Sequence, residues 1–284
     1  MKKESPSERR ARLLEVAKRS VSNAYATEEH SVIQAINAYL ELERIKNQVY
    51  ERLEEWYSIY FPELKISNQS TYAKFVIEIG ENKKAASVEK LRGVLGEKAE
   101  DTMKGIAYSI GREPSEAEYA TIRRLAETEL RLIEMENDVD AYLEGSTKKL
   151  MPNITYLIDY KVAAELLAKA GSLSRMAVLP AGTIQLLGAE KALFKHIKFG
   201  GKPPKYGVLF KLPAVSNAPK NRGGKIARMY AAKISIASKA DAFTKRFIAD
   251  KLKEKLDKAI SRSASQPRRS NAAPPSNTYR KWKR

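Results

Sequence analysis

The chain has 284 residues, of which 43% are apolar, enough material for one large or two modest domains with a buried core. It contains no cysteine, which excludes disulfides and thiolate metal sites. No run of about 18 apolar residues occurs, so no membrane span is expected. The charged start lacks the apolar core of a signal peptide. These features predict an intracellular protein.

The two halves of the chain differ strongly in charge. Residues 1–147 carry 22 Lys and Arg against 27 Asp and Glu, a net of −5, whereas residues 148–284 carry 30 against 7, a net of +23. This asymmetry predicts that the basic half binds a polyanion. The competing interpretation, a solvated basic surface, does not explain why the charge lies in one half only.

The first half predicts a helical arm. A short basic helix is predicted over 7–25, within an N-terminal region of residues 1–27. Apolar residues at helical spacing then predict a long helix from about Thr27 to Tyr60, which Pro62 ends. A second long helix opens at Pro114-Ser115-Glu116 and runs to about 143, with Gly145 as its C-cap.

Shorter helices are predicted between the two long ones, around 70–80 and 83–109. Two long helices with mixed Glu, Lys and Arg faces predict an antiparallel coiled-coil arm over residues 28–147. Two ordinary core helices of a bundle are the alternative.

The second half predicts a compact helical module over residues 148–260. An apolar helix is predicted over 150–169, with Gly171 after it. A turn and a helix follow in AVLPAGTIQLLGAEKALFKHIKF, then an extended segment over 206–213 and helices over 222–243 and 244–260. Residues 261–284 hold few apolar side chains and predict a disordered basic tail that adds only non-specific affinity.

A basic surface is predicted at residues 188–207, which hold five lysines and one glutamate. On a helix, Lys191, Lys195 and Lys198 fall at i, i+4 and i+7 and therefore share one face. Gly188 leaves the start of this helix open, where unpaired backbone N–H groups can receive a phosphate. The apolar side chains on the opposite side are expected to anchor the helix in the core: Leu193, Phe194 and Ile197.

Two further basic groups follow. Lys202 and Lys205 bracket a stiff Pro-Pro pair. The second group consists of Lys220, Arg222, Lys225 and Arg228. Both groups suit phosphate contacts, which would make binding steeply dependent on salt without reading base sequence.

Little in the chain predicts catalysis. Only two histidines occur, His30 and His196, far apart in sequence, so neither a catalytic triad nor a histidine-rich metal site is expected. NRGGK lacks the spacing of a phosphate-binding loop, and no GxGxxG occurs. We expect no enzymatic activity, metal or cofactor. His196 could contact a base, and a half-buried helix histidine is at least as good an interpretation.

Three segments carry a family resemblance. GAEKALFKHIKFGGKPPKYGVLF and RGGKIARMYAAKISIASKADAF closely resemble the Nop domain of box C/D ribonucleoprotein scaffold proteins and of a related spliceosomal factor. SVIQAINAYLELERIKNQVYERLEEWYSIYFPEL is similar to the first coiled-coil helix of the archaeal members. The resemblance covers about residues 28–260.

The resemblance implies an all-α fold with a coiled-coil arm and a compact Nop module. It implies a scaffold that binds a kink-turn RNA already occupied by a small ribosomal-protein-like partner, and self-association through the arm. It implies a cytoplasmic location in an archaeal-type cell and a nucleolar one in a eukaryote. With the basic groups, it predicts these RNA- and partner-binding residues: Gly188, Ala189, Glu190, Lys191, Lys195, His196, Lys198, Lys202, Lys205, Arg222, Lys225 and Arg228.

One family partner is not expected here. The methylation scaffolds recruit the 2′-O-methyltransferase fibrillarin through a separate N-terminal domain, and only about 27 residues precede the predicted arm. The sequence therefore does not support direct recruitment of fibrillarin. A competing functional hypothesis is a coiled-coil protein-interaction module with only generic attraction for nucleic acid.

Overall fold

The computed structural model describes residues 5–25 and 28–265, and every regular element in these ranges is helical. This confirms the predicted all-α class. The first part contains α1 (Pro6–Tyr25), α2 (Glu29–Tyr57), α3 (Gln69–Glu78), α4 (Val88–Leu95), α5 (Ala99–Ala107) and α6 (Glu116–Leu150). The second contains α7 (Pro152–Leu157), α8 (Tyr160–Ala170), α9 (Leu173–Val178), α10 (Ala181–Leu186), α11 (Glu190–Phe199), α12 (Pro213–Ser216), α13 (Gly223–Lys239) and α14 (Ala249–Ser265).

The arm is an antiparallel pair of α2 and α6, whose lengths correspond to about 44 and 53 Å. The direction of pairing follows from which residues meet. Near the module, Val32 of α2 shares a core with Leu143 of α6. At the far end, Leu53 shares another core with Ile122. The predicted antiparallel arm is therefore confirmed.

A small helical tip closes the far end of the arm. Helices α3 to α5 pack there around aromatic side chains of α2 and of the turn that follows it. Tyr57, Tyr72 and Phe75 form edge-to-face pairs with ring centroids 6.3 Å apart. The predicted helix over 83–109 is interrupted, because Ser87 caps a new helix and Gly96 adopts a positive φ of 58°.

The ends of α6 show one correct and one wrong prediction. Ser115 accepts the N–H of Glu118 while the Glu118 carboxylate accepts the N–H of Ser115, a capping box at the expected start. Gly145 lies inside the helix and is not its C-cap. The helix continues because Thr147 is buried beyond it, and it ends just before Pro152.

The C-terminal module has one apolar core, to which the base of the arm contributes. The predicted helix over 150–169 is in fact two, because Ile158 is extended and Asp159 caps α8 by accepting the N–H of Lys161 at 2.9 Å. Gly171 ends α8 in the left-handed conformation, as predicted. The segment predicted to be extended forms a 3₁₀ turn at Val208–Lys211.

A buried polar junction joins α7 to the turn before α14. The Asp241 carboxylate accepts the backbone N–H of Asn153 at 3.1 Å and that of Ile154 at 3.0 Å. The Asn153 amide also donates to Asp241 and to the carbonyl of Arg246. Helix α14 runs to Ser265, and the rest of the predicted tail lies outside the described residues.

Candidate nucleic-acid interface

Helix α11 stands on the surface of the module, and none of its residues is buried. Lys191, Lys195 and Lys198 are exposed, as predicted. The prediction that the opposite face enters the core is wrong, since Phe194 and Ile197 are 63% and 73% exposed. The two faces therefore offer a partner both ammonium groups and apolar side chains.

Phe199 extends the exposed apolar face, at 70% exposure. The Lys198 ammonium lies 5.9 Å from the ring centroid of Phe194 and 5.4 Å from that of Phe199, so it spans both rings. Only Leu193 and His196 are half-buried on this helix. Sequence reasoning missed this surface, because a helical apolar stripe is usually a core face.

The junction before α11 requires glycine. Gly188 has a φ of 87°, and a Cβ there would lie 2.7 Å from Cγ2 of Val208. Its own N–H is donated to the Glu190 carboxylate at 2.6 Å, so this one N–H is not open to a phosphate. Ala189 is the N-cap residue and has no side-chain cap bond. Gly188, Ala189 and Glu190 thus shape the start of α11.

His196 stabilises the other end of α11. Its Nδ1 bonds to the carbonyl of Gly201, and Gly200 ends the helix with a φ of 71°. The contact anchors the start of the loop that carries Lys202 and Lys205, both exposed. In this arrangement His196 is a positioning residue.

Gln185 positions the two basic groups and was not identified from the sequence. Its side chain is buried, and Nε2 donates to the carbonyl of Lys205 at 2.6 Å and to that of Gly224 at 3.3 Å. The end of the loop is therefore tied to the start of α13. A buried amide between two backbone segments leaves no periodic signal in a sequence.

The structure brings the second basic group next to this loop. Lys205 Nζ donates to the carbonyl of Lys220 at 3.2 Å. A Cβ on Gly224 would lie 3.4 Å from the Lys205 side chain, so the backbone approaches closely there. Arg222 is half-buried, while Lys225 and Arg228 are exposed on α13. Two basic groups that are separate in sequence thus adjoin.

The basic surface, defined as α11, the loop over 200–207 and the start of α13, is nearly free of acidic side chains. Residues 188–228 contain ten Lys and Arg and one glutamate. At the loop end, Tyr206 stacks on Phe210 with centroids 5.0 Å apart and an interplanar angle of 11°. The arrangement can bind phosphates and can bury apolar area against a partner.

Two other kinds of feature are absent from the described residues. No group of three or more His, Asp or Glu in the ranges 5–25 and 28–265 is placed to hold a metal ion. No helix in the part of the chain that the structure describes is long and apolar enough to cross a membrane.

Comparison with known proteins gives consistent matches. A family model described as "Nop: snoRNA binding domain, fibrillarin" matches residues 38–262. An uncharacterized NOP5 family protein of Methanocaldococcus jannaschii is 36% identical over 255 residues, covering 87% of this chain and 60% of that protein. Nucleolar protein 58 of Homo sapiens is 37% identical over 215 residues, covering 75% of this chain and 40% of that protein.

A solved structure agrees in fold. A chain in the crystal structure of a fibrillarin/Nop5p complex is 25% identical, with a TM-score of 0.52, and the match covers 89% of this chain and 76% of that one. The chain spans about 40 to 60% of the length of the curated relatives compared here.

Proposed function

This chain belongs to the Nop family, and from that premise we propose that it is a non-catalytic RNA-binding scaffold of a box C/D-type ribonucleoprotein. It recognises a kink-turn RNA together with the small protein that binds the kink-turn. The basic surface contacts both, and the arm pairs with a second scaffold chain. The boundaries 28–147 and 148–260 are proposed for the arm and the RNA-binding module.

The observation that carries the proposal is the two-faced character of α11. Its lysines suit phosphates, which supply affinity without base readout. Phe194, Ile197 and Phe199 form an exposed apolar patch, which is typical of a protein interface and has no use on a phosphate backbone. One helix with both faces fits a composite RNA–protein surface better than RNA alone.

The charge test uses Lys191→Glu with Lys195→Glu. We expect affinity for the kink-turn RNA to fall by about 100-fold or more, because two phosphate contacts become repulsions. Lys251→Glu with Lys255→Glu on α14 makes the same change in net charge elsewhere and should have much less effect. Unchanged affinity in the α11 variant overturns the assignment of this helix to RNA.

The apolar test uses Phe194→Ser with Ile197→Ser, measured on the RNA alone and on the RNA with its kink-turn-binding protein. We expect binding to the preformed complex to weaken by about 30-fold, as for a truncated interface hot spot. Binding to the RNA alone should change little. Val178→Ser, at another exposed apolar position, is the matched control. Equal effects on both targets argue against a protein contact here.

The first measurement compares binding to a kink-turn RNA, with and without that protein, and to a duplex of equal length. Tight binding only to the preformed complex supports the proposal. Equal binding to every RNA means that the charge acts generically, and the arm then becomes the more informative surface, as in a protein-interaction module.

A further inference from the structure

A second exposed surface lies at the opposite end of α13 from the basic surface. It consists of Tyr156, Phe243, Lys245, Arg246 and Phe247, here called the aromatic corner. The three aromatic side chains are 50%, 60% and 53% exposed in that order. Helix α13 has 17 residues, which separates the two surfaces by about 25 Å. The aromatic corner is therefore a distinct surface.

Two rings of the aromatic corner contact each other, and all three rings are open to solvent. Tyr156 and Phe247 meet edge to face at 88°, with centroids 5.5 Å apart. The nearby Asp250 carboxylate raises the pKa of Tyr156. An edge-to-face pair leaves ring faces uncovered, so a planar group can stack on them.

The backbone of the corner is fixed by the buried junction beneath it. Lys245 has a φ of 54°, and its N–H donates to the carbonyl of Ala240 at 2.7 Å. Asn153 receives the N–H of Ile248 at 2.6 Å and donates to the carbonyl of Arg246 at 2.9 Å. A surface fixed in this way loses little entropy on binding.

The charges of the corner favour an anionic partner. Lys245 and Arg246 are exposed, and neither forms an ion pair with any residue in the described ranges. Lys245 interacts electrostatically with the buried Asp241 carboxylate, which accepts two backbone N–H groups of α7. Asp250 lies near Tyr156. Stacking rings flanked by unpaired cations are the elements of a single-strand binding surface, in which bases stack and phosphates meet the cations.

We propose that the aromatic corner binds single-stranded RNA, by stacking bases on Tyr156, Phe243 and Phe247 and pairing phosphates with Lys245 and Arg246. The site extends the footprint of the chain beyond the basic surface. A continuous RNA that contacts both surfaces must span about 25 Å between them. The proposal stands independently of the kink-turn assignment.

The test measures the affinity of the chain for a fluorescently labelled oligouridylate by fluorescence anisotropy. A length of about 12 nucleotides lies within the range of single-strand binding sites. Phe243→Ala with Phe247→Ala should weaken binding about 10-fold, the loss of roughly one stacked base. Tyr108→Ala with Ile110→Ala removes two exposed apolar side chains from the segment between α5 and α6 and should leave affinity unchanged. Thermal unfolding checks that each variant is folded.

A second experiment removes the two positive charges of the corner, with Lys245→Ala and Arg246→Ala. The slope of log affinity against log salt should flatten by about 1.4, the value for two phosphate contacts on a single strand. Arg124→Ala with Arg131→Ala on α6 changes the net charge equally and should keep the slope. Photo-crosslinking of a 4-thiouridine strand to residues 243–247 should be retained in the Lys191→Glu, Lys195→Glu variant.

Two results overturn the proposal. One is an unchanged affinity for oligouridylate when the Phe243→Ala, Phe247→Ala variant is folded. That result would favour a protein, and not RNA, as the partner of the corner. The other is a loss of the crosslink when only α11 is changed, which would place all RNA contact on the basic surface.

Discussion

Several charged side chains of the arm form ion pairs with other described residues, whereas the three lysines on one face of α11 do not. On α6 and the loop before it, Arg112 pairs with Glu118 at 2.5 Å and Arg123 with Glu127 at 3.1 Å. On α11, the lysines at 191, 195 and 198 form no ion pair with any described residue. The arm therefore neutralises part of its own charge, whereas these lysines stay exposed and form no ion pair among the described residues.

For buried carboxylates the contrast is reversed: one in the module has hydrogen-bond partners, and one in the arm has none in the ranges that the structure describes. In the module, Asp241 accepts three N–H bonds from α7. In the arm, both oxygens of the fully buried Glu129 have no hydrogen-bond partner among the described residues, and the nearby Lys46 is paired with Glu136. The hydrogen bonds of Asp241 stabilise the junction between α7 and the turn before α14, whereas the burial of Glu129 without hydrogen bonds to any described residue destabilises the arm.

The largest expected effect is on the module. Asp241→Ala leaves three buried donors unpaired and should lower the free energy of unfolding by about 3 kcal/mol or more. Urea unfolding measures it. Asp257→Ala, at an exposed position of α14, should cost less than about 0.5 kcal/mol. A loss below about 1 kcal/mol for Asp241→Ala would show that the junction is not the support we describe.

The next effect concerns the pH dependence of the arm. Burial raises the pKa of Glu129 from 4.5 to about 7, opposed by Lys46. Between these values the folded chain binds more protons than the unfolded one, so stability falls as pH rises through this window. The expected decrease is on the order of 1 to 3 kcal/mol.

Glu129→Gln tests this origin directly. The variant should lose that part of the pH dependence, whereas Glu134→Gln, at an exposed position of the same helix, should keep it. Unfolding at several pH values between 4.5 and 8 measures both variants. If the free energy of unfolding of Glu129→Gln changed with pH as it does in the unsubstituted chain, other titratable groups would be the cause of the pH dependence.

The smallest expected effect compares two glycines that precede α11 in the chain. Gly188→Ala should destabilise the chain by about 1 to 2 kcal/mol, because its positive φ and the close Val208 side chain both oppose a Cβ. Gly182→Ala, in α10 with open space around it, should be neutral or stabilising by up to about 1 kcal/mol. Equal thermal unfolding of the two variants would contradict the close approach.

Sequence patterns predicted the long helices and several of their ends. Apolar spacing identified α2 and α6, and Ser115 and Gly171 act as the caps that their residue types indicate. Gly145 failed as a cap, because packing of the next turn outweighs the modest cost of a helical glycine. Asp159 was a capping signal within an apolar run, and it divides the predicted helix in two.

The candidate site was predicted less evenly. The lysine face of α11 rests on charges and spacing that are visible in the sequence. Only the structure shows that the loop with Lys205 lies beside Lys220 and Gly224. The prediction that Phe194 is buried in the core was wrong. An amphipathic pattern indicates which side chains share a face of a helix, but it does not indicate whether that face packs on the core or lies in solvent. Gln185 left no signal at all, since its two carbonyl partners are distant in the chain.

The amino-acid sequence by itself determined the helical class, the antiparallel arm and the concentration of positive charge in the second half. These depend on periodicity, local capping and composition, which act over a few residues. Only the tertiary structure decided that one apolar face stays exposed on α11 and that the aromatic corner is fixed on its buried junction. Both depend on which distant segments pack together, and burial is a property of the whole fold.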